Sequence, residues 1–236
     1  MKLLKLSLIS SVLLGISLPI FAQSPEDHVN HFSLGVLAGL SVDQWNLNSS
    51  DSLGVGITTS SDGHLGYSGS ASGIYSFSKH WKLKISPGIQ SKELDYRIDG
   101  LHFGIDFNGT GFNDSHIVYN VKATTITMPV TVEYVWGTKK ILPFISLGIA
   151  GELVLKQSSD GIIYYSNGTT QPVSSGGLIR KNNVAAVASA GIYYRATGKI
   201  SFSISPEFTY SLLHDAQSWN QYSFGGRAGV FYNFSK

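Results

Sequence analysis

The chain has no cysteine among its 236 residues. That absence excludes a disulfide framework, a thiol nucleophile and an acylated lipoprotein cysteine. Charge is also scarce, with Asp, Glu, Lys and Arg making up 14% of the residues, and a soluble surface usually carries far more. The formal charge of +2 comes from Lys2 and Lys5; without the first 22 residues, 15 basic residues face 15 acidic ones. No nucleic-acid footprint is present. Beyond the N-terminus there is no uninterrupted apolar run long enough for a membrane helix. The longest, Ile141 to Leu155, is broken by Ser146, Gly148, Gly151 and Glu152.

What the N-terminus does have is an export pattern. Lys2 and Lys5 precede an apolar stretch from Leu6 to Ile20, and Phe21-Ala22 offers a cleavage point before Gln23. This reads as a signal peptide over residues 1–22, leaving residues 23–236 as one domain.

That domain is built on a period of two. In the first stretch Phe32, Leu34, Val36, Ala38, Leu40 and Val42 share one face, against Ser33, Gly35, Gly39 and Ser41, with Leu37 out of step. Seven more stretches follow, near residues 64–77, 81–90, 125–136, 141–155, 183–196, 200–212 and 222–234. In the seventh, Ile200, Phe202, Ile204, Pro206, Phe208, Tyr210 and Leu212 alternate with Ser201, Ser203, Ser205, Glu207, Thr209 and Ser211. Short turns at residues 78–80, 137–140 and 197–198 alternate with polar connections at Asp43–Asp62, Tyr96–Tyr119, Gln157–Asn182 and His214–Gln221. The expected fold is all-β: an eight-stranded antiparallel up-and-down transmembrane barrel of a bacterial outer membrane, with termini and short turns in the periplasm.

Alternation alone does not say which face is wet. A soluble lipocalin-like barrel alternates too, with its apolar face inward around a ligand. Lipid outside is favoured because the polar face is Ser, Thr and Gly, and because aromatics gather beside the short turns. Tyr75, Phe77, Trp81, Tyr134, Trp136, Tyr194, Phe202, Tyr232 and Phe234 read as an interfacial girdle. Pro87, Pro129, Pro143 and Pro206 fall inside strands, where bulges or skipped ladder bonds are expected.

The Gly-rich first strand, Ile126-Thr127-Met128-Pro129-Val130, Leu142-Pro143-Phe144-Ile145-Ser146-Leu147-Gly148 and the aromatic last strand resemble the PorT-type outer-membrane β-barrels. Those are common in Bacteroidota and similar in architecture to the small OmpA and OmpX barrels. Most members of that family have no defined activity, and its link to a secretion system does not transfer on fold alone; the expectation for this chain is a non-enzymatic barrel.

Few charges share the inward phase. Lys84 with Glu133 and Glu207 with Arg227 are placed to pair, and Glu152 and Arg195 also face inward. A selectivity ring is one reading. A neutralised core filling a barrel too narrow to conduct is the favoured one. An enzyme reading, in which the barrel modifies lipid, rests on His64, His102, His116 and His214 near Asp106, Asp114 and Asp215. No spacing supports it. His28 and His31 alone do not make a metal site, and Gly54-Val55-Gly56 opens no nucleotide-binding helix. No cofactor is expected. The expected partners are outer-membrane lipids, lipopolysaccharide and a protein bound at the loops or turns.

Overall fold

A computed structural model describes residues 31–47, 58–102, 114–137, 140–165, 167–175, 179, 181–213 and 219–234. The signal peptide expected over residues 1–22 lies outside the described residues. The strands are β1 (His31–Leu47), β2 (Thr58–Gly63), β3 (Leu65–Ser76), β4 (Trp81–Ile85), β5 (Gly88–His102), β6 (Asp114–Val135), β7 (Ile141–Tyr164), β8 (Thr170–Ser174), β9 (Asn182–Arg195), β10 (Ile200–Ser211) and β11 (Trp219–Phe234).

Eight staves close into a ring, all antiparallel. β2 continues β3 past His64, β4 and β5 form one stave broken at Ser86-Pro87, and β8 is a short outer strand on β7. β1 closes the ring on β11, from Phe32 opposite Phe234 to Leu47 opposite Trp219. Closure leaves no open edge in the lipid-facing wall, the condition for strands to cross a bilayer.

The apolar phase points outward. Val36, Tyr67 and Leu147 are about two-thirds exposed, at 65%, 67% and 66%. A belt of such residues runs around the whole ring, which suits a lipid solvent and not water. The lipocalin-like alternative, with this phase turned inward, does not describe this fold. The girdle is assembled beside the short turns. Tyr134 meets the edges of Trp81 and Trp136 at 4.9 and 5.1 Å, and Phe234 meets Tyr232 at 5.0 Å.

Prolines interrupt the ladder without changing its register. Pro87 and Pro129 face a gap between the rungs Ile85–Val130 and Gly88–Thr127, and Pro206 sits in a gap between Ile204–Ile192 and Glu207–Ser189. The bulges lie elsewhere. One falls at Leu155 of β7, the other at Asp99-Gly100 of β5, where Gly100 takes a φ of 77°.

The long connections are shorter than expected from sequence. Asp43–Leu47, Thr58–Gly63, Tyr96–His102, Asp114–Tyr119 and Gln157–Tyr164 are strand. A tilted span needs roughly 9–11 residues, so β7 with its 24 residues stands well beyond the lipid. There the pattern inverts. Leu94, Tyr96, Val121 and Ile117 are buried on the inner face, while Glu93, Asp95, Lys122 and Asn120 take the outer one. A sheet in order β2-β5-β6-β7-β8 thus leaves the membrane with water-type sidedness.

Inside, the short-turn end is plugged by Leu37, Ile74, Val135, Leu142, Phe144, Tyr193 and Phe231. Large residues face glycines across the β1–β11 rungs: Phe231 opposite Gly35, and Leu37 opposite Gly229. A Cβ on either glycine would collide with the partner side chain. Phe231→Ala is expected to destabilise the barrel by about 3–5 kcal/mol, and its lipid-facing neighbour Val230→Ala by clearly less. Urea unfolding in detergent, followed by gel mobility, checks the difference; equal midpoints would disprove the plug.

Candidate functional site

The inward phase of each stave brings its polar residues to three heights. Nearest the short turns, Lys84 Nζ lies 3.3 Å from Glu133, and the Tyr193 hydroxyl donates to the same carboxylate at 2.6 Å. Lys84 sits about 6 Å from the rings of Phe144 and Phe231, at 6.0 and 5.9 Å, and Lys82 lies 4.4 Å over the Tyr193 ring. Glu133 is fully buried, so these contacts carry its charge.

At mid-height Arg227 reaches Glu207 at 2.8 Å. Hydroxyl pairs link neighbouring staves: Ser72 to Ser86 at 2.8 Å and Ser146 to Ser189 at 2.6 Å. Gln90 donates to Ser41 at 3.0 Å. The cavity among them is about 20 Å³, room for roughly one water. Toward the long loops, Lys92 lies 3.1 Å from Glu152 and 3.7 Å from Asp43. Asn183 donates to Glu152 at 2.9 Å and accepts from Ser211 at 2.7 Å. Neither Asp43 oxygen has a partner in close hydrogen-bond geometry among the described residues, and the Lys92 charge with the nearby Ser223 hydroxyl compensates it.

The interior therefore holds Lys82, Lys84, Lys92 and Arg227 against Asp43, Glu133, Glu152 and Glu207. Sequence reading paired Lys84 with Glu133 and Glu207 with Arg227, and those contacts are present. It placed Glu152 inward without its partner. It put Arg195 in the interior, whereas Arg195 is exposed at the short-turn mouth, because β9 ends there. Lys92 and Asp43 were missed because β5 and β1 continue in phase past the expected strand ends. The plug residues carried a signal too: each is apolar in the polar phase, as Leu37 already was.

Outside the lipid belt a second polar set lies on the outer face of β2, β5 and β6. His64 Nε2 is 2.9 Å from Asp95, Lys122 is 3.0 Å from Glu93, and Asn120 donates to both Glu93 and Asp95. Hydrogen bonding to Asp95 raises the His64 pKa above its ordinary 6.5. The Lys122 hydrogen bond, then Asn120, lowers that of Glu93. At Asp95, burial pulls upward but hydrogen bonds from Asn120 and His64 outweigh it, and the net direction is down.

Residues 21–235 match the model of one protein family, described as Outer membrane protein beta-barrel domain. The chain belongs to that family. The fold is that of solved outer-membrane barrels. OprG from Pseudomonas aeruginosa is 10% identical, with a TM-score of 0.50 over 89% of this chain and 98% of its own. Neisserial surface protein A is 11% identical, with a TM-score of 0.42 over 85% and 97%. At such identities the likeness concerns the fold alone. No curated protein matches the chain in sequence. The barrel is thus an outer-membrane protein, and none of these comparisons brings an enzymatic family with it.

The histidines of the enzyme reading do not converge where they are described. His64 is held by Asp95, and His116 stacks on Tyr164 at 4.7 Å. The side chains of His102, Asp106, Asp114, His214 and Asp215 lie outside the described residues. No group of three metal-ligating side chains occurs among the described residues.

Two outcomes follow from these geometries. Lys92→Met strands Asp43 and Glu152, so it should destabilise by about 3–5 kcal/mol. Adding Glu152→Gln should recover part of that loss in a double-mutant cycle; strict additivity would contradict the contact. Because the folded pKa of His64 is raised, its stabilising share is complete below pH 6.5 and fades as pH rises through the folded value. A proton NMR titration in micelles should place its midpoint above 6.5, and Asp95→Asn should bring it back down.

Proposed function

We propose that this outer-membrane barrel is a non-enzymatic structural and binding protein that works through the sheet and loops on its long-loop side. The observation that carries the reading is the filled interior. Among the described residues four cations stand against four carboxylates inside, and with about 20 Å³ of free space at mid-height the narrow eight-stranded interior is filled by its own side chains. What it offers a partner is its ends. On the long-loop side, β2, β5, β6, β7 and β8 stand beyond the lipid with a polar outer face. The connections 43–62, 96–119 and 157–182 are the proposed contact surface for a protein partner or lipopolysaccharide. Residues 1–22 act as the cleaved export signal, the short turns and termini face the periplasm, and outer-membrane lipids cover the belt.

The finer family reading is a PorT-type barrel of Bacteroidota, accessory to a secretion system. Its support is the sequence pattern around Ile126–Val130 and Leu142–Gly148. The tests are direct. Crosslinking from intact cells should trap a partner through cysteines introduced at Ser158 or Arg97, and not through one introduced at lipid-facing Leu147. Conductance across a planar bilayer should stay at baseline. Discrete channel openings, or a lipid A mass spectrum altered in a His64→Ala/His116→Ala strain, would overturn the non-conducting, non-enzymatic reading.

A further inference from the structure

At the short-turn end the described residues form a polar recess. It is a cup of about 390 Å³ below the aromatic plug, floored by Tyr193 and Phe231. Among the described residues three cations, Lys79, Lys82 and Arg195, line it, and no carboxylate does. Glu133, the acid behind the floor, is already engaged by Lys84 and the Tyr193 hydroxyl. None of the three lining cations forms an ion pair among the described residues, and the contact Lys82 makes is with the Tyr193 ring. Next to them Ser33 donates to Asn233 at 2.8 Å, and Asn233 donates to Ser201 at 3.4 Å. That chain uses the Ser201 oxygen as acceptor and leaves its hydroxyl free to donate at the cup wall.

The recess thus presents unmatched positive charge and spare donors over an apolar floor. Low-dielectric walls concentrate such a field, and an Arg fork with Lys ammoniums is the donor set that suits phosphate oxygens. We propose that this cup is a phosphate-binding site, taking its phosphate from a phospholipid headgroup or from the free ion. The aromatic girdle around the same end marks headgroup level, so both sources are at hand. The inference rests on the barrel's placement in a membrane and is independent of what the opposite end binds.

The test uses the full chain in an alkyl glycoside detergent, which brings no phosphate. Inorganic phosphate is titrated calorimetrically, and retention of phosphatidylglycerol against phosphate-free diacylglycerol is read by native mass spectrometry. Either free phosphate or phosphatidylglycerol should bind, and which of the two does identifies the source. Arg195→Gln should weaken that binding about tenfold, and Lys82→Gln/Arg195→Gln should abolish it. Lys181→Gln, at the far end of β9, should leave it unchanged. Arg195 is exposed, so its substitution does not threaten folding, and heat-modifiable gel mobility verifies the double variant. Absence of binding by both probes, or equal binding by wild type and Arg195→Gln, would overturn the site.

Discussion

Everything in this barrel depends on the closing of the ring between β1 and β11. A bilayer offers no water to satisfy a backbone N–H or C=O, so an open sheet edge in hydrocarbon costs several kcal/mol per unsatisfied group. The sixteen rungs from Phe32–Phe234 to Leu47–Trp219 remove that edge. Once closed, the ring divides space into lipid and interior, and the period of two assigns each residue to one or the other. The prolines are tolerated on the same terms. Pro87 still accepts from the Ala71 N–H and Pro129 from the Ser86 N–H, so each proline costs its ladder one donor and keeps its acceptor.

The division also explains why the pattern reverses partway up the long staves. A residue on the outer face meets lipid below the bulge at Leu155 and water above it. Ile89, Ile126 and Leu153 therefore give way to Glu93, Lys122 and Lys156 on the same face. The inner face changes in the opposite sense, from Gln90 and Thr125 to Leu94 and Val121, because above the lipid the sheet must find its own apolar packing. The bulge re-aims β7 at the height where the solvent changes.

This reversal set the limit of what the residues alone could convey. The eight staves, their lipid-facing phase and two of the interior ion pairs follow from alternation, since period two is strict wherever lipid demands it. The strand extensions do not read as strand from sequence because Glu93-Leu94-Asp95-Tyr96-Arg97-Ile98 still alternates, but with its apolar beat moved to the other face. The plug was legible only as exceptions such as Leu37 and Phe231, whose meaning needs the register that sets them opposite Gly229 and Gly35. Arg195 has the inward phase its neighbours predict. Phase gives a direction and not a depth, and the end of β9 places it in the open mouth.

The interior charges balance in total but not by height. With every group counted as ionised, Arg227 and Glu207 cancel at mid-height. Toward the long loops one lysine, Lys92, serves two carboxylates, Asp43 and Glu152. Toward the short turns one carboxylate, Glu133, serves Lys84 and leaves Lys82 over an aromatic ring. The barrel is thus polarised along its axis, negative toward the outer sheet and positive toward the short turns. Packed side chains at mid-height separate the two ends. Each must then be compensated by what its own compartment supplies, and at the short-turn end that is an anion.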